Sequence, residues 1–146
     1  MDPSLLRDVI GWDIRSWSSA LAFWEKHVGP DWSGRTVVEV AAGEGGLSLW
    51  AALRGARVVC SDLESPATHA GPLHRGHGVA ESITYEAMDA TRIPYEEVFD
   101  AVLFKGGAAH RACFDGSRAL RPGHAARLEV HRGGCRVEVT TANLPG

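Results

Sequence analysis

Three carboxylates stand around a glycine-rich stretch of this chain. Glu39 precedes Gly43-Glu44-Gly45-Gly46, Asp62 follows Glu39 after an intervening apolar run, and Asp89 follows a third run. Glycines, which have no Cβ, let the backbone turn sharply and let a ligand come close. A carboxylate before the loop repels a pyrophosphate and attracts a cation, and one at the end of the next strand can accept both hydroxyls of a ribose. The pattern therefore predicts a site for a ligand with a cationic part and a ribose.

The spacing of the glycines disfavours a dinucleotide. Reading from Gly43, the order is G-x-G-G-L-S, so that Ser48 stands where the GxGxxG pattern needs its third glycine. Together with Glu39, this departure argues against an NAD-type dehydrogenase. Asp89, which is followed by Ala90, can accept a hydrogen bond from an adenine amino group.

The segments around the loop predict the frame that positions these residues. Arg35–Ala41 is an apolar, β-branched run that indicates a buried strand, and Leu47–Arg54 has helical periodicity and is closed by Gly55 as a C-cap. Ala56–Ser61 indicates a second strand that ends at Asp62. Strand, loop, helix and strand make a βαβ unit, which implies a parallel sheet.

Further elements are indicated on both sides of this unit. An amphipathic helix is capped by Asp13 and ended by Gly29-Pro30, and its apolar face consists of Ile14, Trp17, Leu21, Trp24 and Val28. Ser65–Gly78 predicts a short helix and a loop, and two more strands are expected at Ser82–Met88 and Phe99–Phe104. His69, His74 and His77 fall in the Gly/Pro-rich part and are interpreted as exposed loop histidines, with no metal site.

Four of these segments, in order, resemble the motifs of class I S-adenosylmethionine-dependent methyltransferases. Val37–Ser48 is similar to motif I, and Val58–Leu63 to the ribose-binding end of the second strand. Met88–Thr91 resembles the adenine-binding motif, and Phe99–Phe104 the fourth-strand motif. The resemblance implies a Rossmann-like parallel α/β sheet flanked by helices, with S-adenosylmethionine as the cofactor.

The resemblance also implies a role for each matching residue. The methionine part of the cofactor is assigned to Glu39 and to the loop backbone at Ala41, Gly43 and Gly45; the ribose hydroxyls are assigned to Asp62 and the adenine to Leu63, Asp89 and Ala90. Ala41 stands where the family most often has a glycine, so a positive φ there would cost about 1 kcal/mol. No catalytic residue is assigned: a base is needed only if the acceptor must lose a proton, and Lys105 and His110 are unassigned candidates.

The composition changes abruptly after Lys105. Residues 106–146 contain no Lys, Ile, Met, Trp or Tyr, and Arg, Gly and Ala fill 20 of the 41 positions. We therefore divide the chain into an S-adenosylmethionine-binding domain with its N-terminal helix, 1–105, and an atypical tail, 106–146. Within the tail, Ala126–Val130 and Cys135–Thr140 predict a short antiparallel hairpin through Gly133-Gly134.

The sheet is expected to be incomplete after the fourth strand, which leaves two explanations. The chain is either a minimal methyltransferase or, as the composition favours, a C-terminally truncated or frameshifted one. The predicted function is methyl transfer to a small-molecule acceptor. The alternative is a catalytically incomplete cofactor-binding or partner-binding fragment, whose exposed sheet edge would favour homo-oligomers.

The charge of the chain and its cysteines bear on the expected binding partners and cellular location. Residues 1–105 hold nine basic and fifteen acidic residues, which gives no reason to expect nucleic acid. We expect neither a signal peptide, because Met1-Asp2-Pro3-Ser4 lacks its basic and apolar pattern, nor a transmembrane helix, because no apolar run is long enough. Cys60, Cys113 and Cys135 are odd in number and widely spaced, which is typical of free thiols and predicts a cytoplasmic location.

Overall fold

Four parallel strands carry the apolar runs of the sequence: β1 (Thr36–Val40), β2 (Arg57–Asp62), β3 (Ile83–Ala87) and β4 (Ala101–Phe104). They belong to a computed structural model that describes residues 1–11, 14–105, 125–131 and 134–140. Strands β1, β3 and β4 are each two residues shorter than their predicted runs, and β2 is shifted by one residue. All four strands were predicted.

The order of the strands creates a crevice beside β1. The sheet reads β3-β2-β1-β4 across these four, because β1 pairs in parallel with β2 on one side and with β4 on the other. Successive strands thus move away from β1 in opposite directions, and ligands of open α/β sheets bind outside the carboxyl ends of the strands at such a switch point. The fold therefore brings the residues after β1, β2, β3 and β4 to one edge.

The sheet continues beyond β4 with the hairpin that the tail sequence predicted. Strand β5 (Ala125–His131) pairs in parallel with β4 at Val102 and Arg127, and β6 (Gly134–Thr140) pairs with β5 in antiparallel fashion. The six strands are therefore ordered β3-β2-β1-β4-β5-β6. The predicted Rossmann-like sheet and its terminal hairpin are both confirmed.

Within the described ranges, four helices flank the sheet: α1 (Pro3–Ile10), α2 (Ile14–Val28), α3 (Gly46–Ala52) and α4 (Ala67–Gly76). Helix α2 has the bounds that its apolar spacing predicted, while Asp13, its expected cap, lies outside the described residues. A 3₁₀ turn, Ala80–Ser82, leads into β3.

Helix α1 was not predicted. Its first turn is capped by Asp2, whose Oδ1 accepts hydrogen bonds from the amides of Ser4 (2.9 Å) and Leu5 (3.4 Å). Pro3 occupies the first helical position, where its missing N–H costs nothing. These cap signals were present in the sequence, but eight residues are too few for helical periodicity to stand out.

Gly55 ends α3 as the sequence predicted. Its φ is +94°, and the amides of Gly55 and Ala56 donate to the carbonyls of Ala52 (3.0 Å) and Ala51 (3.2 Å). This pair of bonds is the Schellman pattern, in which a glycine takes the left-handed position. The turn directs the chain from α3 into β2.

The side chains of the sheet alternate between two apolar clusters. On β1, Val37 belongs to a large cluster with α1, α2, α3 and α4, and Val38 and Val40 belong to a smaller one on the other face. Glu39 shares the face of Val37, and it is only 1% exposed. The strand therefore delivers a carboxyl group into the interior beside α3.

Candidate functional site

Left-handed residues coil the loop between β1 and α3. The φ angles are +52° at Ala41, +53° at Gly43 and +72° at Gly45. The amide of Gly45 donates to the carbonyl of Ala42 (2.9 Å), and the amide of Ala42 donates to the carbonyl of Ser61 at the end of β2 (2.9 Å). The loop is thus closed on itself and fastened to the neighbouring strand.

Ala41 therefore has a positive φ. The expected strain at this position depended on that conformation. An L-residue in this region brings its Cβ close to the backbone carbonyl, at a cost of about 1 kcal/mol. The strain lies within the segment that is predicted to contact the cofactor.

The three glycines of the loop have different steric surroundings. A Cβ on Gly43 would meet nothing within 4 Å, so this residue faces open space. A Cβ on Gly45 would lie 2.8 Å from Cε1 of His74, and one on Gly46 would lie 1.9 Å from the carbonyl oxygen of Val9 in α1. Of the three, only Gly43 leaves its open side to a ligand. The expectation that Gly46 serves ligand approach is wrong, because the backbone of α1 occupies that space.

Glu39 lies beneath the loop rather than at its surface. Its Oε2 accepts hydrogen bonds from the amide (2.7 Å) and the hydroxyl (2.5 Å) of Ser48 in the first turn of α3. Burial raises the pKa of Glu39 to about 7, against the opposing effect of the hydrogen bonds from Ser48. The carboxylate thus caps α3, and near neutral pH it can exchange a proton.

Asp62 joins the end of β2 to the glycine loop. Its Oδ2 accepts a hydrogen bond from the amide of Gly43 (2.9 Å), and its Oδ1 accepts one from the amide of Leu63 (2.8 Å). The side chain of Leu63 is 69% exposed. Two predicted site residues, Gly43 of the loop and Asp62 at the end of β2, are therefore in direct contact.

Asp89 and Ala90 follow β3 at the same edge of the sheet. Asp89 is exposed, and its Oδ1 accepts hydrogen bonds from the amide (2.9 Å) and the hydroxyl (2.7 Å) of Thr91. Ala90 is 9% exposed and packs in the smaller apolar cluster. The turn after β3 is therefore ordered by its own aspartate.

Two residues that contact predicted site residues were missed from the sequence: Ser48, which bonds Glu39, and His74, which bonds Gly45. Ser48 was considered only as a missing glycine, although a hydroxyl in the first turn of a helix can reach a carboxylate on the preceding strand. His74 was interpreted as an exposed loop histidine, but it is fully buried on α4. The spacing of Ala70 and His74, one helical turn apart, was the available signal.

The remaining candidates are Lys105 and His110, and the positive charge of Lys105 opposes the rise in the pKa of Glu39. The Nζ of Lys105, one residue after β4, lies 5.5 Å from the ring centroid of Trp17. His110 lies outside the described residues. Among the residues that are described, no three side chains of the metal-binding types come together.

The chain is similar in sequence to known methyltransferases. Residues 38–124 match the family model described as "Methyltransferase domain". The chain is 36% identical over 90 residues to the demethylmenaquinone methyltransferase of Thermobifida fusca (strain YX), in a match that covers 61% of this chain and 37% of that protein. The chain therefore spans less than half the length of this relative.

Solved structures share the fold. The geranyl diphosphate C-methyltransferase of Streptomyces coelicolor A3(2) superposes with a TM-score of 0.59 at 21% identity, covering 75% of this chain and 43% of that one. The YcgJ protein of Bacillus subtilis superposes with a TM-score of 0.60 at 18% identity, covering 73% and 48%. Separately, no helix within the described ranges has both the length and the apolar character needed to cross a membrane.

Proposed function

Because the chain belongs to the methyltransferase domain family, as its four motifs predicted, we propose that it binds S-adenosylmethionine at the carboxyl ends of β1, β2 and β3 and transfers the methyl group to a small-molecule acceptor. The observation that carries this proposal is the 2.9 Å hydrogen bond between the Gly43 amide and Asp62. It joins the carboxylate assigned to the ribose with the loop assigned to the methionine part.

The residues at this edge fit such a cofactor. Gly43 faces open space, so a ligand can approach the loop backbone. Leu63 presents an exposed apolar side chain, which supports its assignment to the adenine ring. Glu39 lies close beneath the loop, and in its ionised form it attracts a cation more strongly than a solvated carboxylate does, because the dielectric constant is lower in a buried environment. Charge, shape and polarity therefore agree with a ligand that is cationic at one end and aromatic at the other.

S-adenosylmethionine, when bound, supplies a methyl group that is already activated as an electrophile. The protein then has to hold, orient and desolvate its ligands, which can lower a barrier without an acid or a base. Asp62 is suited to orientation, because two backbone amides fix its carboxylate. The acidic side chains at the carboxyl ends of β1 to β3 thus act as binding groups.

The proposal of a small-molecule acceptor draws on a relative whose name states its substrate. That relative is a demethylmenaquinone methyltransferase, so a quinone-like ring is one acceptor of this class to test. We expect this acceptor to bind in the crevice beside β1, which has β2 on one side and β4 on the other. No base is assigned.

Calorimetric titration with S-adenosylhomocysteine tests the cofactor site without requiring turnover. We expect a dissociation constant on the order of micromolar. Asp62→Ala should weaken binding at least about tenfold, since hydrogen bonds to a charged group each contribute about 1.5–3 kcal/mol. Glu81→Gln, an exposed acid at the opposite end of β3, is the matched control and should bind as the parent does.

Two outcomes separate the candidate functions. A folded chain that fails to bind S-adenosylhomocysteine contradicts the cofactor site. A chain that binds it but transfers no labelled methyl group to quinol or other small acceptors supports the alternative, a cofactor-binding unit without catalysis.

A further inference from the structure

A buried histidine lies directly beneath the glycine loop. His74 of α4 is fully buried, and its Nε2 lies 2.9 Å from the carbonyl oxygen of Gly45. Its Nδ1 lies 2.8 Å from the hydroxyl of Tyr85 on β3, and the two rings stack at 5.7 Å between centroids. One side chain thus bonds both the loop and a strand.

The partners of the ring define its protonation state. A carbonyl oxygen can only accept, so Nε2 carries the hydrogen and donates to Gly45. In the neutral ring, Nδ1 is then the acceptor for the hydroxyl of Tyr85. Burial lowers the pKa of His74 and favours this neutral form.

The carbonyl of Gly45 receives a second bond from the helix that it precedes. The amide of Leu49 donates to the same oxygen (3.0 Å) as the first bond of α3. The peptide of Gly45 is therefore held from two directions, by α3 and by α4. Because the amide of Gly45 donates to Ala42, this restraint extends to the outer part of the loop.

Steric contact reinforces the hydrogen bond. A Cβ on Gly45 would approach the His74 ring to 2.8 Å at Cε1 and 2.9 Å at Nε2, and Ala70 to 3.0 Å. The imidazole therefore packs directly against the loop backbone at Gly45. Any side chain at position 45 would displace either the ring or the loop.

We propose that His74 is a positioning residue for the cofactor-binding loop. Its Nε2–H fixes the carbonyl of Gly45, and thereby orients the amide of Gly43 toward Asp62. The proposal rests on the proposed function, since it assigns to α4 a part in cofactor affinity. His74 does not contact the ligand itself.

Two substitutions separate the hydrogen bond from the volume of the ring. His74→Phe keeps a planar ring against Tyr85 but removes the donor. His74→Gln places an amide N–H where Nε2 lies. We expect His74→Phe to weaken S-adenosylhomocysteine binding about tenfold, as is typical when one buried hydrogen bond is lost, and His74→Gln to bind within about threefold of the parent. His69→Phe, on the exposed side of α4, is the control and should change nothing.

Amide NMR spectra of the unliganded variants provide a readout that is independent of cofactor binding. In His74→Phe the amide resonances of Gly43 and Gly45 should shift, while His74→Gln should leave them near their original positions. Gly45→Ala gives a second check. Its effect on these resonances and on affinity should be smaller in a His74→Ala background, where the ring that opposes the new Cβ is gone.

The results decide between the two hypotheses. If the parent chain does not bind S-adenosylhomocysteine, the proposed function fails, and the loop resonances still decide the role of His74. If His74→Phe leaves both the affinity and the Gly43 resonance unchanged, or if His74→Gln is as impaired as His74→Phe, the positioning role is refuted.

Discussion

Alanine at position 41 adopts a backbone conformation that glycine adopts without steric conflict. Its φ of +52° costs about 1 kcal/mol. Ala41→Gly removes this conflict at the expense of a more flexible unfolded chain. Since this second effect costs about 0.5–1 kcal/mol, we expect the free energy of unfolding to stay level or to rise by up to about 0.5 kcal/mol, as measured by urea denaturation, with S-adenosylhomocysteine affinity kept or improved.

Ala42→Gly is the matched control for this change. The neighbouring alanine has no positive φ, so glycine there brings only the entropic cost, about 0.5–1 kcal/mol of lost stability. Equal destabilisation by both substitutions would contradict strain at Ala41.

The ionisation of Glu39 opposes folding. Its pKa is about 7 in the folded protein, against 4.5 ordinarily, so the folded state holds the extra proton between these values. Its stabilising contribution is complete below pH 4.5 and is lost as the pH rises through 7. Glu39→Gln cannot ionise and can still accept from Ser48. We expect it to be more stable than the parent at pH 8, by on the order of 3 kcal/mol, and to show no such gain at pH 4.5.

The same residue makes cofactor binding depend on pH. A protonated Glu39 cannot attract a cationic group, so S-adenosylhomocysteine should bind more tightly as the pH rises through 7, by about tenfold between pH 6 and 8. Titration in buffers of different ionisation enthalpy should show that binding releases a proton. In Glu39→Gln both effects should vanish; a pH dependence that persists there would assign it to another group.

For single residues, the sequence predicted local backbone conformation better than burial and tertiary contacts. The resemblance marked Ala41 as a strained position, and the observed φ agrees. It did not predict that Glu39 is buried, because burial depends on how α3 lies over β1, nor that His74 supports Gly45, because α4 and the loop meet only after folding. The assigned cofactor contacts of Glu39, Ala41, Gly43, Gly45, Asp62, Leu63, Asp89 and Ala90 stay predictions.

Among the elements, α1 and α3 meet at a position that tolerates only glycine. A Cβ on Gly46 would lie 1.9 Å from the carbonyl oxygen of Val9, and backbone atoms cannot move aside as a flexible side chain can. Gly46→Ala should therefore destabilise the protein by about 1–3 kcal/mol. Hydrogen exchange should show the loss first in α1.

Gly76, the last residue of α4, provides the comparison. It has no positive φ, and a Cβ there would meet nothing within 4 Å. Gly76→Ala should be neutral or stabilise by up to about 1 kcal/mol, because alanine is the better helix former. If both glycines tolerated alanine equally, the close approach of α1 to α3 would be wrong.

The sequence predicted the elements themselves better than the contacts between them. The apolar runs marked β1 to β4, and the glycine at position 55 marked the turn after α3, because both signals are local. The docking of α1 on Gly46 is a contact between distant segments, and no local pattern encodes it. A short helix was expected within Ser65–Gly78, but its extent and its buried face were not, because Pro72 stands inside α4 and tertiary packing sets the face.

For the whole molecule, the parallel sheet followed from the βαβ pattern, and the hairpin β5–β6 from alternation around Gly133-Gly134. The division at residue 105, the truncation or frameshift hypothesis, association through a sheet edge and a cytoplasmic location stay predictions. The family match continues to residue 124, beyond the last of the four motifs. Resequencing the gene across codon 105 would test the frameshift directly.

Three tryptophans join the N-terminal half of the fold. The ring of Trp32, before β1, lies 5.8 Å from that of Trp24 on α2 and 5.0 Å from that of Trp50 on α3. The Trp32 side chain is fully buried, and its Nε1 donates to the carbonyl of Gly29 (3.1 Å). The backbone amide of Trp32 donates to the carbonyl of Arg54 (2.8 Å). One side chain thus joins α2 to α3 close to the start of β1.

Removing that side chain should therefore weaken the entire domain rather than one element. Trp32→Ala is expected to cost about 3–5 kcal/mol, a large share of the 5–15 kcal/mol typical of a domain, and to lower the Tm by roughly 10–20 °C. Leu53→Ala, whose side chain is 40% exposed, should cost less than about 1 kcal/mol. In both variants, tryptophan fluorescence and far-UV circular dichroism should report one shared transition, because the cluster and the sheet unfold together. Separate transitions in the parent would show instead that the helical cluster is a unit of its own.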